Sequence, residues 1–542
     1  MVQKGCAVRT RANLPTIRVA IWLCVASWPA HALAQAIVPA LTATATVLDE
    51  FGDGGAVAES PAEAPPAGPT LFWGAWVGVL GLDIAAEDPA EDVLALRNRL
   101  DLDVKHPLPG GLQVRLSARM LHRAQVGHQG AITKPAFAAD LPDLGMRYDL
   151  DSQLRFANLQ WSADWGRLTV GRDTVNWGAL ELQSALRFLH PMDLSNGLVG
   201  SLGNAEESPL LPSWLLRLER PLGPGQLDVV FLPFFDQHRF SPFATDAAFV
   251  RPGQGPELSG SLAVLLRRLD LRLDRQLSQA LMSALRPASD TPLDGTPAAR
   301  WRTTLGQFDV ALVAAWAWDR LPELHLDQDL LLLLSRTADA GFDTAKLASM
   351  FADPAVAAAA ERAKGKTVAD LAEATWRRRG IVGVEAQGEL AQGWMARGEL
   401  AWSHQRVFMD TGFRPLLSPL AQGGVGLERN WGDRAAAVVE FSGQWAYLVP
   451  KDTELMLAAA LQWQVGGGLL VRWGEADAWS AQLGGYYGVT LRDWAVAPRV
   501  AWQLGDRWQA TVGAVVADGP TNSMGGWFGA DDQVLFEARR TF

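Results

Sequence analysis

From about residue 70 to the C-terminus, hydrophobicity in this chain alternates with a period of two. That pattern constrains the fold more than any other feature of the sequence. Leu94, Leu96, Leu100, Leu102 and Val104 share one face of a segment whose other face carries Arg97, Arg99, Asp101 and Asp103. Beyond the turn at 107–111, Leu112, Val114, Leu116, Ala118 and Met120 alternate with Gln113, Arg115, Ser117, Arg119 and Arg123. Successive side chains of a strand point to opposite faces, so the two segments read as a hairpin with one apolar and one strongly charged face. The C-terminal half repeats the pattern. Trp394, Ala396, Gly398, Leu400 and Trp402 oppose Arg397, Glu399, Ser403 and Gln405, and Val439, Phe441 and Trp445 oppose Glu440, Ser442 and Gln444.

A soluble β-sandwich would alternate too, and three further features separate it from a membrane barrel. The segments run to about ten to fifteen residues, beyond the usual five or six of soluble strands and enough for the nine to eleven tilted residues that cross a bilayer. The chain holds 23 Trp and 20 Phe beside only 4 Tyr, and Trp tends to fall near the ends of the apolar faces, as an aromatic girdle requires. Short turns such as Asp164–Arg167 and Gly505–Arg507 alternate with much longer connections, the asymmetry of periplasmic turns and outer loops. The last strand closes on Phe542 after Val534, Phe536 and Ala538, which resembles the assembly signal that the barrel assembly machinery reads. Arg540 departs from that signal.

Alternation marks nineteen segments, near 70–84, 92–105, 111–123, 153–163, 167–176, 211–220, 225–234, 299–305, 307–320, 376–390, 392–408, 421–431, 433–448, 454–465, 468–475, 479–490, 495–504, 507–517 and 533–542. Termini on the same side demand an even number. The conflict lies between Val449 and Thr490, where Leu455–Trp473 reads as one strand through Gly466–Gly468. The expected fold is therefore all-β, a transmembrane antiparallel β-barrel of 18 strands within a range of 16 to 20, with long, partly helical outer loops. Leucines at three- and four-residue spacing from Leu262 to Leu285, and an Ala-rich stretch at 355–363 within 327–374, mark the helical parts. Such loops fit a plug, a constriction, an outer lid or plain surface ornament.

The N-terminus sets the compartment. Lys4, Arg9, Arg11 and Arg18 precede a ten-residue apolar run, Val19–Trp28, too short to span a bilayer, and Ala32-Leu33-Ala34 supplies small residues at the cleavage positions. Residues 1–34 read as a signal peptide cleaved after Ala34, residues 35–69 as a flexible periplasmic tail rich in Ala and Pro, and residues 70–542 as the outer-membrane barrel. The tail is a linker or a docking arm. Both cysteines, Cys6 and Cys24, lie in the leader, so the processed chain has no thiol chemistry. Losing four basic and no acidic residues takes the formal charge from −11 to −15, which argues against nucleic acid as a partner.

One motif carries a family resemblance. Gly171-Arg172-Asp173-Thr174-Val175-Asn176-Trp177-Gly178 is followed by Leu189-His190-Pro191-Met192-Asp193-Leu194. The pair resembles the G-R-x-x-V-x-W-G and P-x-D-L signature of a family of porin-like outer-membrane proteins of unassigned function. Trp318-Asp319-Arg320-Leu321-Pro322 also looks like that family's mid-chain strand end. Members are often encoded beside efflux-type transporters and periplasmic lipoproteins, so the resemblance implies traffic of hydrophobic compounds and periplasmic transport partners. Read physically, Arg172, Asn176, Trp177, Gly178, Pro191 and Asp193 anchor a strand end and its loop, with an Arg172–Asp193 pair folding the loop inward.

Catalytic signatures are missing: there is no H-x-x-x-H or H-E-x-x-H pair, no G-x-S-x-G elbow and no P-loop. Neither an enzyme, a cofactor nor a metal is expected. The chemistry is in the lumen. Arg97, Arg99, Arg115, Arg119 and Arg123 cluster with Asp101 and Asp103 on adjacent strands, and Glu385, Glu389 and Glu399 stand with Arg397 across the barrel. Such charges tune pore selectivity, or simply pair to satisfy a polar interior. The expected function is a porin-like outer-membrane channel for small solutes or hydrophobic compounds, passing through a charged lumen constricted by loops. The alternatives are an outer-membrane component of a lipid or hydrophobic-compound export system, and a non-transporting structural barrel or adhesin.

Overall fold

Each stretch of alternation forms a strand, and each strand hydrogen-bonds to its sequence neighbours. The computed structural model describes residues 70–84, 94–128, 144–193, 210–239, 294–330, 349–366, 372–410, 414–456, 458–520, 522–527 and 532–542, with isolated positions between 332 and 370. The first nine barrel strands are β1 (Leu71–Asp83), β2 (Leu94–Leu108), β3 (Leu112–His128), β4 (Leu144–Ala163), β5 (Gly166–Asp173), β6 (Ser213–Leu222), β7 (Gly225–Leu232), β8 (Thr296–Leu305) and β9 (Phe308–Trp318). A small ribbon, β10 (Glu323–Leu326) with β11 (Ala372–Thr375), forms a separate sheet that lies against two barrel strands of the C-terminal half and closes the base of one long loop. The remaining nine are β12 (Arg378–Ala391), β13 (Trp394–Met409), β14 (Pro415–Trp431), β15 (Ala435–Ala446), β16 (Leu461–Trp473), β17 (Trp479–Gly488), β18 (Asp493–Leu504), β19 (Trp508–Asp518) and β20 (Gln533–Thr541).

These form one closed, antiparallel, 18-stranded sheet. β9 pairs with β12 across the ribbon-bearing loop, and β20 pairs with β1 from Ala75↔Thr541 to Asp83↔Gln533. The expected count holds, and so does the reason for doubting nineteen: β16 runs unbroken through Gly466–Gly468 and absorbs two of the alternating segments. The first of those segments begins too early, since residues 454–460 belong to the preceding loop. The short connections, such as 164–165, 223–224, 306–307 and 392–393, lie at one end together with both ends of the sheet, and the long ones lie at the other. Within the long loop after β9, the Ala-rich stretch is helix α1 (Pro354–Arg362), whose Asp353 side chain caps the Ala355 N–H. The leader, the tail and the leucine repeat at 262–285 lie outside the described residues.

The apolar faces point outward. Val425, Val439, Leu400, Leu312 and Val512 are each at least half exposed, which no water-soluble sheet of this size would tolerate. Aromatic rings bound this band at both ends. Trp161, Trp394, Trp431, Trp473, Trp479, Trp502 and Trp508 stand near the short-turn rim, and Trp214, Trp316, Trp402, Trp445, Trp463 and Tyr487 toward the long-loop rim. Trp479 stacks on Trp502 at 5.3 Å between ring centroids. Arg540, which breaks the terminal alternation, sits at the short-turn rim with its guanidinium 5.4 Å over the Trp508 ring. A cation at that depth is held by the ring beside it and reaches water.

Candidate functional site

The chain leaves β5 at Asp173 and turns into the lumen. Asp173 accepts from Asn158 Nδ2 at 3.0 Å and from the Thr174 N–H at 2.8 Å, which tethers the departure point to β4. Trp177 then points into the wall and is 1% exposed. Its Nε1–H donates to Asp228 Oδ2 on β7 at 3.0 Å, and Asp228 is paired in turn with Arg217 of β6 at 2.8 Å. Gly178 has φ +110°, and a β-carbon there would stand 1.9 Å from Ser184 Oγ. Only glycine permits this bend.

Residues 179–186 cross the lumen. β5 is the fifth strand of the ring and β16 the fourteenth, nine places away in a ring of 18, so the two are diametrically opposed. The loop reaches that far wall. Leu182 fills the space over Gly466 of β16, where a β-carbon would come within 2.5 Å of Leu182 Cδ1. Leu180 sits against Gly424 and Gly426 of β14, and Leu186 against Gly383 of β12; a β-carbon at Gly424 or Gly383 would come within 2.9 or 2.5 Å of the leucine.

Two wall carboxylates hold the loop by its main chain. Glu399 of β13 accepts from the Ala179 N–H at 2.8 Å, the Leu180 N–H at 3.3 Å, Ser184 Oγ–H at 3.0 Å and the Ala185 N–H. Glu440 of β15 accepts from the Glu181 and Leu182 N–H groups at 2.6 and 2.9 Å. Arg397 of β13 bridges Glu181 of the loop and Glu428 of β14. Arg187 closes the loop on itself, donating to the Glu181 and Leu180 carbonyls at 2.7 and 2.8 Å and to Asn176 Oδ1 at 3.1 Å. Burial raises the pKa of the Glu181 carboxyl, against the opposing pull of Arg397 and Arg187.

The underside of the loop is apolar, and so is the wall it covers. Trp177, Leu186, Phe188 and Leu189 pack on Leu215, Val230, Leu232, Val313 and Ile381, which are inward-facing positions of β6, β7, β9 and β12. An apolar inner wall is stable because the loop removes it from water. Arg320 ties this loop to its neighbours, donating to the Leu189 and Asp236 carbonyls and lying 5.4 Å over Phe235. His190 Nε2 accepts from the Val175 N–H at 2.8 Å. Burial first, and then the nearby Arg320 charge, push its pKa down to about 3, so the ring is neutral at physiological pH.

Two more long loops fold inward at the same end. Helix α2 (Met524–Trp527) places Trp527 on Ala495, Ala497, Val515 and Ala517 inside β18 and β19, and the Gly525 N–H donates to Asp493 Oδ2 at 3.0 Å. Leu455 packs on Phe408, Leu420 and Ala446 inside β13, β14 and β15.

No family model matches the chain, and no curated protein matches it. The barrel is similar to several solved structures. The outer membrane protein OpdK of Pseudomonas aeruginosa is 10% identical, with a TM-score of 0.40, over 88% of this chain and 99% of that one. OmpF of Salmonella typhi, solved in complex with daunomycin, is 8% identical, with a TM-score of 0.37, over 87% and 97%. The outer membrane channel DcaP of Acinetobacter baumannii is 9% identical, with a TM-score of 0.33, over 87% and 97%.

The residues singled out in the sequence divide into three groups. On β2 and β3 the ladder is paired: Arg119 and Arg99 both meet Asp101, at 2.6 and 2.7 Å, and Arg115 donates to Asp103 at 3.0 Å. Arg97 stands in register with Arg123, whose side chain lies outside the described residues. β2 and β13 are nine places apart in the ring, so the two charge clusters do lie on opposed walls. The far cluster, however, is committed to structure. Glu399 and Arg397 hold the loop, Glu385 pairs with Arg300 of β8, and Glu389 sits exposed at the short-turn end, accepting from the Gly393 N–H at 3.2 Å.

The third group is the motif at 171–178 and 189–194. The expected Arg172–Asp193 pair does not form. Arg172 is in register with the outward-facing Trp214, so it lies on the opposite face of β5 from the loop, and Asp193 meets Arg239 instead at 3.8 Å. Asn176, Trp177 and Gly178 do shape the loop as described above, and the Pro191 carbonyl accepts from the Leu211 N–H at 2.8 Å. Sequence reading put Glu440 on a polar face without giving it a role, and it missed the inward glycines. The available signal was glycine at positions of β12, β14 and β16 where alternation called for a polar side chain. Among the described residues, no group of three or more His, Cys, Asp or Glu is placed to hold a metal ion.

Proposed function

We propose that this chain is an outer-membrane channel whose lumen is narrowed by the pinned loop 174–193. The observation that carries the reading is the capture of that loop, on the side of the barrel remote from β5, by Glu399 and Glu440. An apolar exterior bounded by two aromatic rings suits a bilayer, and an 18-stranded barrel is wide enough for a passage. Such a loop restricts what passes to the space it leaves, and the β2–β3 ladder supplies charge on the wall opposite its anchor. Small solutes or hydrophobic compounds are the substrate class, and the leader directs the chain to the envelope.

Single-channel recording of the purified, refolded protein in a planar bilayer tests this. Steady steps are expected, with an anion-to-cation preference that falls in Arg115→Gln and Arg119→Gln. Silence from protein that is demonstrably folded and inserted would refute the channel and favour a partner-dependent exporter or a structural barrel. Removing residues 35–69 is expected to leave conductance unchanged. Loss of steps in that truncation would give the tail a part in the pore itself.

Membrane insertion has its own test. Val439→Arg, midway along β15 and pointing outward, is expected to cost about 2–4 kcal/mol in urea unfolding from lipid vesicles. The same charge at Trp473, in the short-turn aromatic ring, should cost only about 0–1 kcal/mol. Equal costs at the two depths would argue that the band does not sit in hydrocarbon.

A further inference from the structure

The hydrogen-bonded ring gives way at the upper end of the β12–β13 seam. β12 pairs with β9 as far as Arg378↔Trp318, yet its ladder with β13 begins only at Ile381↔Ser403. Above that point side chains supply the rungs. The Gly380 N–H donates to His404 Nδ1 at 2.8 Å, Gln405 Nε2 donates to the Arg378 carbonyl at 2.6 Å, and Asp319 Oδ2, just past β9, accepts from the Val407 N–H at 2.9 Å. The cause lies in the neighbouring pair. β13 carries one extra residue between Ser403 and Arg406 where it faces β14, and Pro419, the β14 residue opposite the insertion, has no N–H to give.

A groove of about 450 Å³ lies on the outer surface at this seam, lined by Ala299, Ala314, Trp316, Gly380, Val382 and Trp402 among others. None of its lining residues is Asp, Glu, Lys or Arg. His404 is the one titratable side chain among them. Its Nδ1 is taken by Gly380, and its ring is stacked on Trp316 at 5.5 Å. The groove falls within the usual size of a small-ligand site, and its lining is almost wholly apolar, with no charged group to hold a water-borne ligand. Its inner edge is formed by Ala298 and Ile381, and both belong to the apolar cluster beneath the pinned loop, together with Trp177, Leu186 and Leu189. Ala298 and Ile381 thus connect the outer face, at this side-chain-stitched part of the wall, with the underside of the loop, while buried Arg379 and Ser403 flank them on the lumen side.

We propose that the upper β12–β13 seam is a lateral portal for a hydrophobic molecule carried in the bilayer. An aliphatic chain lies in the outer groove and slips between Gly380 and His404 to reach the apolar cluster under the loop. The inference rests on the reading of the barrel as membrane-spanning and names one substrate class for it. The seam opens by exchanging a few side-chain hydrogen bonds, and no continuous backbone ladder has to break.

The test is photolabelling of the full chain in phosphatidylcholine vesicles by a fatty acid bearing a diazirine on its chain. Label is expected at 380–382 and also at 186–189 on the lumen side. Label confined to outward positions, at the level of the rest of the apolar band, would overturn the proposal. The processed chain has no cysteine of its own, because Cys6 and Cys24 fall in the leader. Gly380→Cys with His404→Cys is therefore a clean lock. Oxidation should remove the label at 186–189 while dithiothreitol restores it and ion conductance stays unchanged. Persistence of that label in the oxidised protein would place the route elsewhere. Ala314→Trp fills the groove without touching the rungs and should cut internal labelling on the order of tenfold. An unchanged yield would count against the groove. A silent but internally labelled wild-type protein would refute the channel and keep the portal, whereas a conducting protein without internal label would do the reverse.

Discussion

Glu399→Gln and Glu440→Gln, singly and together, will release the lumen loop and raise single-channel conductance. The two carboxylates accept from five backbone N–H groups and one hydroxyl between Ala179 and Ala185. A hydrogen bond to a charged acceptor contributes about 1.5–3 kcal/mol. An amide keeps one accepting oxygen, but it turns an NH2 group toward donors that need an acceptor. A loss of roughly 3 kcal/mol per substitution shifts the ratio of released to pinned loop on the order of a hundredfold. Longer and larger open steps are the expected record, greatest in the double variant. Glu389→Gln, at the short-turn end, is the control that should change nothing. Unaltered conductance in the double variant, with folding verified, would show that the loop does not set the width of the passage.

Acid will loosen the same loop. His190 has a folded-state pKa near 3, held there by burial and by Arg320, whereas a released loop would return it to about 6.5. Between those values the released state binds a proton that the pinned state refuses. Pinning is therefore complete above about pH 6.5 and weakens as the pH falls toward 3, by at most about 1.4 kcal/mol per unit for one group. His238, whose Nδ1 accepts from the Met192 N–H at 2.9 Å, is pushed down to about 3 by burial and Arg320 and acts in the same direction. Glu181 opposes them: its pKa is raised by burial, so its contribution is lost as the pH rises. Two histidines act toward release and one carboxyl against it, and release is the expected net effect of acidification. Open probability recorded from pH 7.5 down to 4.5 should climb in the wild type and climb less in His190→Gln, whose side-chain oxygen can still accept from Val175. Coincident curves would remove His190 from the account.

The barrel was legible because its cause is local. A strand facing hydrocarbon on one side and a polar interior on the other writes that difference at every second residue, and segments such as Leu94–Val104 and Ala435–Trp445 keep it along their length. The one miscount, at Leu455–Trp473, arose where Gly466–Gly468 interrupts the alternation. Those glycines carry no hydropathy signal, and Gly466 is glycine because Leu182, almost three hundred residues earlier in the chain, occupies the space above it. The site was less legible for the same reason. Glu399 was recognised as a lumen charge, but its partners are main-chain N–H groups of a distant loop, and backbone donors leave no mark in a side-chain pattern. The Arg172–Asp193 pairing failed on a point of parity. Asp173 faces inward with Asn158, so Arg172 must face outward.

A clasp that grips main chain is indifferent to most of the side chains it holds. Glu399 and Glu440 would recognise any loop that presented amides in the same places, provided small residues on the wall still received leucines at 180, 182 and 186. Gln183, exposed between two of those leucines, takes no part in the grip. In the proposed channel, anchoring and discrimination would fall to separate atoms of the same loop. A change at 183 can alter what the passage admits while the closure mechanism stays as it was, which makes that position the natural place for selectivity to drift or to be redesigned.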